Sequence, residues 1–196
     1  ELTAAWQQLK QVPCVLEKML PLAAEISVIV ARGRDGQMVN LPPQLNLHRD
    51  GILAVTEVHA QAMPAQRQAQ AVESTRSIAQ GLNYTGVLCV EYFVLADGSL
   101  VVNEMAPRPH NSGHHTIEAA ATSQYENLVR ILAGLPLGEA VTTEPSLMLN
   151  LLGPEKGAER QYDLVVTKAL RMENAFIHLY GKTELRPFRK MGHITL

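Results

Sequence analysis

Glu91 and Glu104 stand at the two ends of YFVLADGSLVVN, two apolar runs separated by Asp97-Gly98. Asp-Gly between alternating apolar runs is a strong hairpin signal. With Asp97 and Gly98 as the central turn residues, Leu95 pairs with Leu100, Phe93 with Val102 and Glu91 with Glu104. The two carboxylates then face each other, Cβ atoms roughly 5 Å apart, on the face that carries Phe93, Leu95, Leu100 and Val102. Like charges directly across a ladder destabilise it unless a cation or a shared proton compensates. Mg²⁺ suits such a pair because it takes carboxylate oxygens together with phosphate oxygens, and Asn103 offers a carbonyl oxygen beside Glu104. The alternative is two solvated edge glutamates that never meet. A three-residue loop with a bulge would place them on opposite faces.

The second strand runs into NEMAPRPHNSGHH (103–115), where polar groups crowd a stretch with almost no apolar content. Pro107 and Pro109 restrict φ on either side of Arg108 and lower the entropy lost in holding it ready. A planar guanidinium recognises paired oxygens through two parallel hydrogen bonds. Histidine exchanges protons near neutral pH, which makes His110 a candidate proton acceptor.

The elements that must position this loop read as α+β. PCVLEKML (13–20) and EISVIVARG (25–33) are rich in Val, Ile and Leu and predict two strands. NLPPQLNLHRDGIL (40–53) is a Pro-rich irregular stretch ending at Asp50-Gly51. QRQAQAVESTRSIAQGL (66–82) predicts a helix capped by Gly81. A second helix is expected over 117–134, with Ile117, Ala121, Tyr125, Leu128 and Leu132 on one face. GLPLG (134–138) looks like a linker; beyond it 147–152 and 163–170 are strand-like, and 176–196 suggests a hairpin plus a terminal strand. The expected domains are 1–134 and a smaller β-rich unit, 135–196.

Composition narrows the class. An apolar fraction of 46% and a charged fraction of 18% fit a globular chain with a core. A net charge of −2 and a pI near 6.4 give no support for a nucleic-acid or anionic-membrane partner. Cys14 and Cys89 lie in apolar runs and are expected to be buried, reduced thiols in a cytoplasmic setting. No apolar run reaches the ~18 residues of a membrane span.

GVLCVEYFV and GSLVVNEMAPRPHNSGHHTIEAAATSQYE resemble the ATP-grasp core of the N5-carboxyaminoimidazole ribonucleotide synthetase family. VLEKMLPLAAEISVIVARGRDG, NLHRDGIL, PSLMLNLLG and YGKTELRPFRKMGHITL extend the resemblance over nearly the whole chain. It implies the large lobe of an ATP-grasp fold, a mixed or antiparallel sheet with helices, followed by a small β-rich C-terminal domain. It also implies a fragment that is inactive alone, since the family's preceding Rossmann-like domain and its Gly-rich loop with lysines have no counterpart here. The implied reaction is carboxylation of 5-aminoimidazole ribonucleotide by bicarbonate, driven by ATP with Mg²⁺, through carboxyphosphate, in a homodimer when full length.

Residue by residue, the resemblance makes Glu91 and Glu104 the Mg²⁺ ligands, with Asn103 beside them. Glu17, Lys18 and Met19 take the hinge position next to adenine, and Glu25 binds the ribose hydroxyls. Asn46 and His48 lie in a loop that approaches the phosphates and the substrate. Arg108, His110, Asn111 and Ser112 hold bicarbonate, carboxyphosphate and the imidazole substrate. Lys182, Arg186, Arg189 and Lys190 receive the ribonucleotide phosphate. Two departures stand out: Phe188 replaces a glycine usual in the family, and His115 an aromatic residue, often Trp. Another ATP-grasp carboxylase, a formate-using purine transformylase, or a non-catalytic nucleotide-binding module are the alternatives.

Overall fold

The computed structural model describes residues 2–142, 144–184 and 186–196; Glu1, Thr143 and Leu185 lie outside the described residues. Its strands are β1 Leu22–Arg32, β2 Met38–Asn40, β3 Gln44–Arg49, β4 Ile52–Val58, β5 Gly86–Leu95, β6 Leu100–Ala106, β7 Ser146–Leu152, β8 Phe176–Leu179 and β9 Lys190–Thr195. They form one sheet in the order β6-β5-β1-β3-β4-β7-β9-β8, with β2 also paired to β1. Every pairing is antiparallel. The helices are α1 Leu2–Gln8, α2 Ala65–Gly81, α3 Thr116–Ala119, α4 Gln124–Ala133 and α5 Glu159–Ala169, and a 3₁₀ turn spans Asn111–Gly113.

The apolar runs of β1 and β5 are continuous because both sheet faces are covered there. On one face Ile26, Val28 and Val30 of β1 and Leu88, Val90, Tyr92 and Val94 of β5 pack under Ala71 and Ala79 of α2. On the other, Ile29, Ala31, Val87 and Cys89 pack with Ile131 of α4, Leu41 and Ala140. A smaller core gathers Leu151 and Ile194 against Tyr162, Val166 and Ala169 of α5. The spacing of those last three residues is helical, which is why 163–170 is a helix and not the expected strand.

Other expectations also change. Residues 13–20 are irregular and exposed, Leu16 at 76% and Cys14 with it, because no strand among the described residues lies alongside to pair their backbone. The stretch 40–53 is not irregular: only Pro42-Pro43 interrupts it, and β3 and β4 form a hairpin whose turn residues Asp50 and Gly51 both have positive φ, 52° and 73°. That is the two-residue turn an Asp-Gly pair favours. Gly81 lies inside α2; the left-handed residue after the helix is Asn83, at φ 46°. The helix expected over 117–134 is two, because Ser123 caps α4 by accepting the Glu126 N–H at 3.1 Å. α4 buries Gln124, Asn127 and Ile131, while Ile117, Tyr125 and Leu132 are exposed. Gly134, at φ 69°, ends it as expected. β8 and β9 are the two arms of one hairpin.

Candidate active site

Glu91 and Glu104 do pair directly across β5 and β6, by a different route from the one their spacing suggested. The turn is a three-residue loop, Ala96-Asp97-Gly98: Leu95 N–H donates to Ser99 O at 2.9 Å and Gly98 N–H to Leu95 O at 2.8 Å, with Gly98 at φ 85°. Near the turn Val94 therefore pairs with Leu100 and Tyr92 with Val102, so Leu100 packs on the α2 side of the sheet and not beside Glu91. A bulge at Asn103 then absorbs one residue and brings Glu104 opposite Glu91.

The row continues across the sheet. Glu91 pairs with Ser27 of β1, and Ser27 with Gln44 of β3, so four polar side chains cross four strands on the face opposite α2. Register brings them within reach of one another, and the loop beyond β6 closes over them. His110 Nε2 lies 2.7 Å from Glu91 Oε1, and His110 Nδ1 lies 2.9 Å from Ser112 Oγ. Ser112 Oγ lies 2.7 Å from Ser27 Oγ, which lies 3.0 Å from Gln44 Oε1 and receives a hydrogen bond from Asn46 Nδ2 at 2.9 Å. Thr56 Oγ1 donates to Asn46 Oδ1 at 3.0 Å. The residues of this hydrogen-bonded network are buried, Ser27, Gln44, Thr56 and Ser112 at 0% exposure. Polar groups survive in such a place only when hydrogen-bonded.

Burial alone would raise the Glu91 carboxyl, but the hydrogen bond with His110 and the attraction of His110, His48 and Lys190 outweigh it, and the carboxyl is held below its ordinary value. Cys89, behind Glu91 on the same strand, is an inert thiol pushed up by burial. Both ring nitrogens of His110 are engaged, so the candidate proton acceptor is tied to the carboxylate in this geometry. Asn103, Glu104 and Arg108 are exposed; Arg108 Nη1 donates to Pro109 O at 3.0 Å. Among the described residues no group of three or more His, Cys, Asp or Glu converges as a ligand set. Two facing carboxylates still fit Mg²⁺, which takes one or two protein carboxylates and completes its shell with phosphate and water.

Glu25 and His48 line a cleft of about 390 Å³ with Leu22, Ala24, Asn46 and Glu57. His48 Nδ1 is 3.2 Å from Glu25 Oε2 but out of hydrogen-bond alignment, and so is left without a hydrogen-bond partner among the described residues. Glu17, Lys18 and Met19 are exposed on the irregular stretch before β1 and do not line this cleft. The basic C-terminal residues separate. Lys190 is half-buried near Glu91 and Arg108; burial, then Arg108 and Lys182, lower its ammonium below the ordinary value against the pull of Glu91. Lys182 donates to the Lys190 carbonyl and sits over the Tyr180 ring. Arg186 is paired at the surface with Glu184, and Arg189 is exposed. Phe188 takes φ 63°, a left-handed conformation that favours glycine.

The family model of the ATP-grasp domain matches residues 1–125, and that of the phosphoribosylaminoimidazole carboxylase C-terminal domain matches residues 146–196. The chain belongs to the ATP-grasp family. The N5-carboxyaminoimidazole ribonucleotide synthase of Brucella melitensis is 42% identical over 97% of this chain and 51% of its own length. That of Escherichia coli is 43% identical over 93% of this chain and 48% of its own length. The crystal structure of the Aspergillus clavatus N5-carboxyaminoimidazole synthase, in complex with ADP and 5-aminoimidazole ribonucleotide, superposes with a TM-score of 0.91 at 34% identity. It covers the whole chain and 52% of that protein. The chain thus spans about half the length of the relatives it matches.

Ser27, Gln44, Thr56, Gln124 and Asn150 were not legible as site residues. One signal was available for Ser27: it is a polar interruption of an apolar strand, at the same parity as Glu25.

Proposed function

We propose that the protein carrying this chain couples ATP cleavage to carboxylation of 5-aminoimidazole ribonucleotide by bicarbonate, releasing ADP, phosphate and N5-carboxyaminoimidazole ribonucleotide. The observation that carries this reading is the Glu91–Glu104 pair lying under the His110–Ser112 loop, because it sets a metal-phosphate carboxylate pair beside a stiffened polar loop. Likeness to synthases of that activity across nearly the whole chain supports it.

Phosphoryl transfer needs alignment and charge neutralisation more than covalent help. Glu91 and Glu104, with Asn103, would hold Mg²⁺, which when bound draws charge from the transferring phosphoryl group. A bicarbonate oxygen forms the bond to the γ-phosphorus as the bond to ADP breaks. The amine of the ribonucleotide then takes the carboxyl carbon, the C–O bond to phosphate breaks, and the amine gives up a proton. Arg108 would hold the carboxylate oxygens, in two parallel hydrogen bonds once it leaves Pro109 O. His110 fixes the Glu91 carboxylate, so one oxygen stays directed by the loop while the other is free for the metal. Lys190 adds positive charge on the Arg108 side, and Asn111 and Ser112 complete the substrate wall. Glu25 and His48 contribute the ribose end of the nucleotide cleft; Lys182, Arg186 and Arg189 lie toward the ribonucleotide phosphate. Residues 1–134 form the ATP-grasp portion and 135–196 the C-terminal portion. The free thiols of Cys14 and Cys89 fit a cytoplasmic setting.

In the full-length protein, ADP release should require both bicarbonate and the aminoimidazole ribonucleotide, and Glu104→Gln should lower it by roughly 100-fold or more, the scale of losing one charge-stabilising group. ADP release that needs formate in place of bicarbonate would move the assignment to a transformylase.

A further inference from the structure

His110 and Asn111 are consecutive, and each is gripped by an amide side chain distant in sequence. Gln124, 1% exposed at the start of α4, takes both backbone groups of His110. Its Oε1 accepts the His110 N–H at 2.9 Å and its Nε2 donates to the His110 carbonyl at 2.8 Å. A primary amide carries donor and acceptor side by side as a peptide unit does, so Gln124 acts on the extended His110 backbone like a paired strand residue. Gln124 is itself oriented: its own N–H donates to Thr116 Oγ1 at 3.1 Å, and Thr116 Oγ1 donates to Gly113 O at 2.6 Å. The fit is close, since a Cβ on Gly113 would lie 2.8 Å from Gln124 Oε1.

Asn111 is held from the other side. Its Nδ2 donates to Asn150 Oδ1 at 3.0 Å, and Asn150 Nδ2 donates to Asn111 Oδ1 at 2.6 Å and to Leu53 O at 2.8 Å. The bond to Leu53 fixes the Asn150 amide to β4, so the exchange with Asn111 has one orientation. Neither amide belongs to a ladder or caps a helix; both act on a dipeptide whose first side chain holds Glu91.

We propose that Gln124 and Asn150 are positioning residues that fix the His110–Asn111 dipeptide over the Glu91–Glu104 pair, Gln124 from the ATP-grasp portion and Asn150 from the C-terminal strand β7. Gln124 sets the His110 backbone so that its ring meets Glu91, and Asn150 sets the direction of the Asn111 amide. The kinetic consequence rests on the proposed carboxylation; the structural one does not.

The test has two arms. In this chain, long-range ¹H–¹⁵N spectra of the His110 ring should show one sharp, fixed set of ring signals. In Gln124→Leu those ring signals should average, while amide dispersion elsewhere stays that of the wild type. Gln124→Glu keeps the acceptor for His110 N–H and loses the donor, and should fall between. Asn150→Ala, at a half-buried site, carries the test if Gln124→Leu does not fold: the Asn111 side-chain amide protons should lose their dispersion. In the full-length protein both substitutions should lower kcat, by roughly 100-fold for Gln124→Leu, with the KM for ATP unchanged. Wild-type ring signals and wild-type kcat in a folded Gln124→Leu protein would overturn the proposal. Absence of carboxylation by the wild type would sink only the functional reading, and the spectra would still decide the clamp.

Discussion

Glu91 is ionised where burial works against it, and the residues that make this tolerable, His110 foremost with His48 and Lys190, come from elsewhere in the chain. His110 reaches it from the loop and Lys190 from the last strand. A facing pair of carboxylates is therefore only half of the device; the compensating charge arrives by tertiary structure. The pairing was legible from spacing, yet His110's grip on Glu91 was not, because loop direction is not encoded in strand parity. Phe188 shows the same limit. A glycine there is only what the resemblance implied, and the backbone alone reveals φ 63°. The Phe188 side chain is 49% exposed and buries little in return. Phe188→Gly should relieve strain of about 1 kcal/mol, part of it offset by the freer unfolded glycine, and raise the thermal midpoint by up to ~2–4 °C. Thermal unfolding of the two proteins by circular dichroism decides this; a lower midpoint would show that Phe188 earns its place by packing.

At the scale of elements, two deviations from ideal pairing cancel. The three-residue turn shifts the β5–β6 register by one residue, and the bulge at Asn103 shifts it back before Glu104. An ideal two-residue hairpin reaches the same pairing, so sequence arithmetic found the right partners with the wrong partners for Leu95 and Leu100. The Asp-Gly pair that does adopt the two-residue geometry is Asp50-Gly51, hidden by the prolines that precede β3. Helical periodicity misled more seriously over 117–134. The apolar residues at three- and four-residue spacing lie largely on an exposed side, and the buried side is Gln124, Asn127 and Ile131. Two of those three are amides holding backbone: Gln124 holds His110, and Asn127 both accepts from Gly138 N–H at 2.9 Å and donates to Gly138 O at 3.2 Å. Hydrophobicity cannot signal a helix face that works by hydrogen bonding. Ser123 starts that helix, and Ser123→Ala should cost about 1 kcal/mol, seen as a fall of ~2–4 °C in the thermal midpoint. Because Gln124 follows the cap directly, the loss should also speed hydrogen exchange at the His110 amide. Unchanged exchange there would separate the cap from the loop.

For the whole molecule, the sheet runs unbroken from β6 to β8, so the loop over Glu91 is fixed to both halves of the chain at once. A cluster of rings makes a second join. His114 of the loop lies 5.1 Å from His193 of β9, centroid to centroid, and His193 stacks on His178 of β8 at 4.5 Å. Tyr125 OH meets His114 Nδ1 at 2.7 Å, Tyr180 OH meets His193 Nδ1 at 2.8 Å, and His178 Nε2 lies 2.5 Å from Glu118 of α3. Burial, reinforced by the neighbouring histidines and, for His114, by Lys190, lowers His114 from 6.5 to about 3 and His193 to about 4. Burial lowers His115 to about 4, against the pull of its hydrogen bond to Ser112 O. The unfolded chain takes up protons at these positions near pH 6.5, whereas the folded chain resists until about pH 4. Between those values the unfolded state binds more protons, so stability falls as pH falls. Above 6.5 these groups contribute no slope. Each histidine contributes up to about 1.4 kcal/mol per pH unit in that window. Carboxylates add their own titration only at lower pH, so the range from 6.5 to 5 isolates the histidines. Calorimetric midpoints should be level from pH 8 to 7 and then drop by several degrees per unit between 6.5 and 5. A level midpoint through that range would mean that the cluster takes up protons without loosening the join between β9 and the loop.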